Sequence, residues 1–219
     1  MARDEALLEH GGSSAVLRLY TWRPDALSLG YFQRFRDVPA AAGATSVVRR
    51  WTGGGAIHHA DELTFAIAAP LEHALYAGPV VDSYRRVHAL VIEALALVGV
   101  TARLRGDVAP LASDRAGSGM CFHASTPEDI VWDAAKGVGS AQRRRGGRVL
   151  HHGSIKLDTT ALEGPIATAK VDVARLETAL LTVFGRRFRL VADELTPRER
   201  RHAADRAAFF RSDAFVHRR

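Results

Sequence analysis

The sequence predicts an α+β fold with a mixed, largely antiparallel sheet flanked by helices. Short runs rich in β-branched and aromatic residues, punctuated by Gly and Pro, recur through residues 14–157. One long helical period, Val80, Tyr84, Val87, Val91 and Leu95, interrupts them, and helical patterning returns only after residue 170. The 219 residues suffice for one domain with a real core. No repeat or linker divides them, so the chain reads as a single domain, core 1–158 with a C-terminal helical segment 159–219.

The elements follow in order. Residues 3–9 read as a short amphipathic helix ended by Gly11 and Gly12, then Ser14 to Trp22 as a strand. Pro24 turns the chain into a second strand, Ala26 to Tyr31. Alanine-rich Val38 to Ala44 reads as a helix and Thr45 to Arg50 as a strand. The run Trp51-Thr52-Gly53-Gly54-Gly55 is a loop, because three glycines are costly inside any regular element. Leu63 to Ala69 is a buried strand, Val80 to Val98 a long helix stopped by Gly99, and Val100 to Leu104 a strand. Residues 105–120 form a loop too long to be a mere connector. Strands at 129–133, 136–143 and 148–157 precede helices at 171–184 and 197–210, and the basic tail from Arg198 reads as mobile.

Hydrophobic residues make up 47% and charged residues 25%, as in ordinary globular chains. No apolar run reaches the roughly 18 residues a membrane span needs, and the acidic start of the chain lacks a secretory core. A cytoplasmic protein is expected, without membrane association. The net charge is +6, carried almost wholly by arginine, since Lys136, Lys156 and Lys170 are the only lysines. A basic surface suits an acidic protein partner. Arg143 to Arg145 and Arg198 to Arg201 can each be a solvated face, and no aromatic interleaving points to nucleic acid. The single cysteine, Cys121, excludes an intrachain disulfide and a Cys-rich metal site.

Three segments carry candidate chemistry. In Arg49 to His59 a glycine turn follows a strand, where exposed N–H groups can hold a carboxylate, carbonyl or phosphate oxygen. Arg49 and Arg50 stand beside it, and the GKS or GKT ending of a nucleotide P-loop is missing. In the second segment, Lys136 to Gln142, small residues surround Lys136, with His151 and His152 nine and ten residues beyond its end. A lysine there can polarise a carbonyl or stabilise an oxyanion, or be an exposed strand-end residue. The histidines lack a third ligand at metal spacing. The third segment is Met120-Cys121-Phe122-His123, where a loop thiol can serve as an acyl carrier or be inert.

Taken together, the pieces MARDEALL, LSLGYFQ, RRWTGGGAIHHADELTFAI, CFHASTPEDIV and KGVGSAQRRRGGRVLHHGSI resemble the lipoate-protein ligase and octanoyltransferase family, in order and in spacing. The resemblance covers most of residues 1–158 and implies a biotin-ligase-like fold. It also implies a cleft for an acyl chain between Gly53, Gly54 and Gly55 and the strand Lys136 to Gln142, with Arg50, His59, Gly139, Ser140, Ala141, His152 and Gly153 around the substrate. The lysine matching Lys136 contacts the acyl carbonyl in that family. His59 matches the family histidine, but Ala60 stands where an aspartate is usual, which puts an acid's role there in doubt. Many relatives carry a strand before this first helix, and this sequence opens at the helix itself.

The family holds two chemistries. Ligases activate lipoate with ATP and magnesium, whereas transferases take an octanoyl group from acyl carrier protein through a cysteine thioester. Cys121-Phe122, followed by Pro127 to Ile130 and Lys136, resembles the transferase branch. Only about 60 residues follow the HGSI segment, too few for the accessory domain of many ligases. The expectation is octanoyl transfer without cofactor or metal, Cys121 and Lys136 being catalytic. The acceptor is a lysine of a lipoyl-domain protein or glycine-cleavage H protein. The alternative is an ATP-dependent lipoate ligase lacking the accessory domain, in which Cys121 is incidental.

Overall fold

The computed structural model describes residues 1–107 and 110–218. Among the described residues nine strands form two sheets. The larger is wholly antiparallel, in the order β1 (Val16–Tyr20), β5 (Glu62–Pro70), β9 (Arg148–Lys156), β8 (Ala135–Arg145), β7 (Ile130–Trp132), β6 (Arg103–Leu104). The smaller holds β2 (Ala26–Leu29) between parallel β3 (Val47–Arg49) and antiparallel β4 (Ile57–His59). The mixed character expected from sequence thus belongs to the small sheet alone.

One face of the large sheet is backed by α2 (Val80–Leu97) and α3 (Val173–Arg187). Alternation along β5 sends Leu63, Phe65, Ile67 and Ala69 to this core, where they meet Val87, Val91 and Leu95 of α2 and Leu176, Leu180 and Val183 of α3. Each of the large ones stabilises the fold by about 1.5–3 kcal/mol through burial. Gly99, at φ +90°, ends α2 where a side chain would be strained. The opposite face of β5 and β9 carries Glu62, Thr64, His152, Ser154 and Lys156, all buried under the small sheet. No described helix is long and apolar enough to cross a membrane.

Four expectations need correction. Residues 38–44 form no α-helix but a five-residue 3-10 turn, Pro39–Gly43, too short for helical bonds to propagate between its Pro and its Gly. The strand expected over 100–104 shrinks to Arg103–Leu104. Residues 57–59, unassigned from sequence, form β4, whose three residues are too few for a period and extend only because β2 pairs with them. The tail is also docked. Helix α4 (Pro197–Ala207) packs on α1 (Ala2–His10) through Arg206 and His202 to Glu5, and Phe210, Phe215 and Val216 are buried around the final helix α5 (Asp213–Val216). Arg198, Arg200 and Arg201 are exposed, as a solvated face requires. The 105–120 loop has no regular element where it is described; residues 108 and 109 lie outside the described residues.

Candidate active site

Two adjacent buried arginines hold the backbone around the glycine loop. Arg49 is fully buried and donates from Nη1 to the carbonyls of Gly30 and Gln33, both at 2.7 Å, and from Nε to Phe215 O at 2.8 Å. Arg50, also buried, donates from Nη2 to Gly53 O and Gly55 O, both at 2.7 Å, and from Nη1 to Ser28 O at 3.0 Å. Arg50 therefore shapes the glycine loop from within and lines the inner cavity described below, whereas Arg49 ties the turn at residues 30–33 to the C-terminal segment. Gly54 adopts φ +86°, which a side chain rarely tolerates. A methyl on Gly55 would lie 2.7 Å from Cys121 N, so only glycine lets the loop pack against the cysteine segment.

Cys121 opens a 3-10 turn, Cys121–His123, tied to the loop by Cys121 N to Ala56 O at 2.7 Å and Ala56 N to Gly119 O at 2.8 Å. Its Sγ sits over Gly139 of β8, where a methyl would lie 2.7 Å from the sulfur and 3.7 Å from Lys136 Nζ. Lys136 is buried and donates to Ala124 O and pairs with Asp129 Oδ2, each at 2.9 Å. Burial works against its charge, but the neighbouring Cys121 and Asp129 outweigh it and hold the ammonium above its ordinary pKa. The cysteine and lysine expected from sequence are thus brought together around one missing Cβ.

Two spaces meet at Cys121. The inner one lies between the two sheets and is narrow, its free volume about 20 Å³, room for little more than one water. Arg50, Gly54, His59, Gly139, Ser140, Ala141, His152 and Gly153 line it with Cys121. The outer one is an open cleft lined by Gly54, Gly55, Tyr84, Glu128, Lys136 and Ser140, again with Cys121. Gly53 lines neither and packs beside Phe32. Among the described residues no group of three or more His, Cys, Asp or Glu is placed to hold a metal ion.

Beneath the inner space runs a buried polar ladder. His59 stacks on Trp22 at 4.1 Å, and its Nε2 and Nδ1 lie 2.7 Å from Ser28 Oγ and Glu62 Oε1. Lys156, fully buried, joins Glu62 at 2.9 Å and Glu163 at 2.8 Å. Burial pushes the Glu62 carboxyl up, but His59 and Lys156 hold it well below the ordinary range. Burial pushes His59 down, and His152 down to about 3. His152 Nε2 meets Thr52 Oγ1 at 2.5 Å. Position 60 carries no acid, and the carboxylate that meets His59 is that of Glu62, three residues on. His58, a departure without a sequence-level reason, contacts Thr160 Oγ1 at 2.9 Å and Asp25 Oδ2 at 3.2 Å. The sequence reading missed Asp129, Lys156 and Glu163, which lie outside the expected site positions, and also His88 of α2, taken up below.

Residues 1–175 match the lipoyl protein ligase A/B catalytic domain. Octanoyltransferase LipM of Moorella thermoacetica is 39% identical over 170 residues, 72% of this chain and 60% of that protein. The LipM of Symbiobacterium thermophilum is likewise 39% identical, over 167 residues, with the same shares. The chain therefore spans about three fifths of the length of the curated relatives it matches. In fold it resembles lipoate-protein ligase A bound with ATP, at a TM-score of 0.78 and 21% identity, covering 99% of this chain and 92% of that one. It also resembles the bi-partite lipoate protein ligase of Thermoplasma acidophilum, at 0.77 and 18%, covering 99% and 89%. On the matched residues and the shared fold, the chain belongs to the lipoyl protein ligase A/B catalytic-domain family.

Proposed function

We propose that this chain moves an octanoyl group from acyl carrier protein, through a thioester on Cys121, to a lysine of a lipoyl-domain protein or a glycine-cleavage H protein. The observation that carries this reading is the place of Cys121, at the junction of a narrow apolar inner space and a wider cleft and beside Lys136. An acyl chain that parts the walls of the narrow inner space leaves its carbonyl at the sulfur, while donor and acceptor reach that carbonyl in turn through the cleft. The relatives named as octanoyltransferases support the same chemistry.

In the first half-reaction the Cys121 thiolate attacks the donor thioester, and the carrier's pantetheine sulfur leaves as thiolate. The Lys136 ammonium faces the developing oxyanion. In the second half-reaction the acceptor amine attacks the enzyme thioester and the Cys121 sulfur leaves. Exchange between thioesters is near balance and amide formation is downhill, so neither half calls for ATP or a metal. The chain acts as one catalytic unit, core 1–158 supported by segment 159–219, in the cytoplasm.

The test is intact mass after mixing the protein with octanoyl-acyl carrier protein in the absence of ATP. A hydroxylamine-labile octanoyl adduct, lost in Cys121→Ser, is the expected result. No adduct, with lipoyl transfer to a lipoyl domain only on adding ATP and lipoate, would establish the ligase instead.

A further inference from the structure

Amide formation requires that a proton leave the attacking amine, and Lys136 is poorly suited to take it. Asp129 at 2.9 Å and the Cys121 sulfur keep its ammonium charged. Asp129 is occupied by that ion pair, and the Glu128 carboxylate by Arg85 at 3.3 Å.

Behind the site, between β8 and α2, lies a chain of neutral groups that ends at Ser140. Ser140 lines both the inner cavity and the outer cleft with Cys121. Its Oγ is 2.7 Å from His88 Nε2 and 3.1 Å from His151 Nε2, and both histidines are fully buried. The tautomers follow from the partners. His88 Nδ1 lies 2.5 Å from the Glu128 carbonyl, which only accepts, so Nδ1 carries the hydrogen and Nε2 is a free acceptor. The Ser140 hydroxyl therefore donates to His88, and its oxygen accepts from His151 Nε2. His151 Nδ1 is left to accept from Gln142 Nε2 at 3.3 Å, and that same amide donates to Ser83 Oγ at 2.9 Å. A serine whose proton is directed at an oriented imidazole has the geometry of a proton-transfer pair.

We infer that Ser140 is a catalytic residue of the second half-reaction and that His88 acts through it, the pair taking the proton of the acceptor lysine. This rests on the transferase reading above. The amine arrives neutral, having left one proton in water. Its nitrogen bonds to the octanoyl carbon and the carbon–sulfur bond breaks, the electron pair leaving on Cys121 beside Lys136. The N–H proton passes to Ser140 Oγ while the Ser140 proton passes to His88 Nε2. The imidazolium then returns that proton through Ser140 to water in the open cleft.

The surroundings suit this use. Burial holds His88 below its ordinary pKa, against the Glu128 carbonyl and the Asp129 charge, so it is neutral and able to accept near pH 7. The groups facing it are Tyr84 on its own helix, His151 from β9, Lys136 from β8, and Glu128 and Asp129 from the segment before β7. Burial also keeps His151 neutral.

The experiment is a single-turnover split using octanoyl-acyl carrier protein as donor and a purified lipoyl domain as acceptor. Formation of the adduct and its chase onto the domain are timed separately, in H₂O and D₂O, for wild type, Ser140→Ala and His88→Gln. The expected result is a chase slowed by about a hundredfold or more in both variants, well beyond any change in adduct formation, with loss of the solvent isotope effect. Far-UV spectra of the two variants control for folding, and two variants on different elements guard against one that fails to fold. A wild-type chase rate in folded Ser140→Ala, or equal slowing of both halves, overturns the relay and leaves the transferase reading standing. A wild type that forms no adduct overturns both.

Discussion

The two faces of the large sheet use one alternation to opposite ends. Toward α2 and α3, β5 and its neighbours present mostly apolar residues, and stability there comes from removing them from water. Toward the small sheet the intervening positions present Glu62, Thr64, His152, Ser154 and Lys156, equally buried but polar or charged. Buried charge is weak evidence for stability, since desolvation opposes the attraction within the pair. That this face keeps it argues for placement: the ladder fixes His59 and, through Ser28, Arg50, and Arg50 in turn holds the glycine loop against Cys121.

The comparison breaks first at Lys156. Removing its ammonium in Lys156→Met leaves Glu62 and Glu163 buried together, and denaturant unfolding should show a loss of about 3–5 kcal/mol. A loss below about 1 kcal/mol would mean that the two carboxyls share a bound proton without it. On the other face, Leu95→Ala should cost about 2–5 kcal/mol by the same measurement while leaving adduct formation per folded molecule intact. If the adduct rate falls with it, the faces are not separable as argued.

Gly139→Ala sharpens the comparison from the site side. Its methyl would sit 2.7 Å from Cys121 Sγ, so the sulfur must move, and adduct formation should slow on the order of a hundredfold with little change in stability. Acid acts on the same buried face. His152 is neutral in the fold down to about pH 3 but protonates near 6.5 when unfolded, so the unfolded state binds more protons between those values. Stability present above pH 6.5 is therefore lost as pH falls toward 3. Glu62, whose carboxyl is depressed in the fold, adds a loss below the ordinary glutamate range. Thermal unfolding across pH 7 to 4 should show the decline, and His152→Asn should flatten its upper part.

What the sequence makes legible follows the same division. The glycine loop, Cys121 and the Lys136 strand are contiguous motifs, so their chemistry can be read before any fold is known. The long period of α2 and the end at Gly99 are equally local. The partners are not. Glu62 and Lys156 stand 94 residues apart and meet through the β5–β9 register, and Glu163 joins them from the segment after β9. His88 reads as one more position of an amphipathic helix until β8 lays Ser140 against it. The docked tail was hidden in the same way, because Arg49 takes Phe215 O by a contact across 166 residues.

The central claim is that one sulfur serves both spaces in turn, and chasing an isolated adduct tests it most directly. Octanoyl-enzyme, freed of carrier protein and without ATP, is mixed with a lipoyl domain and both masses are followed. The account predicts an octanoyl amide on the domain, appearing as Cys121 returns to free thiol. An adduct that persists, or that hydrolyses while the domain keeps its mass, would contradict it.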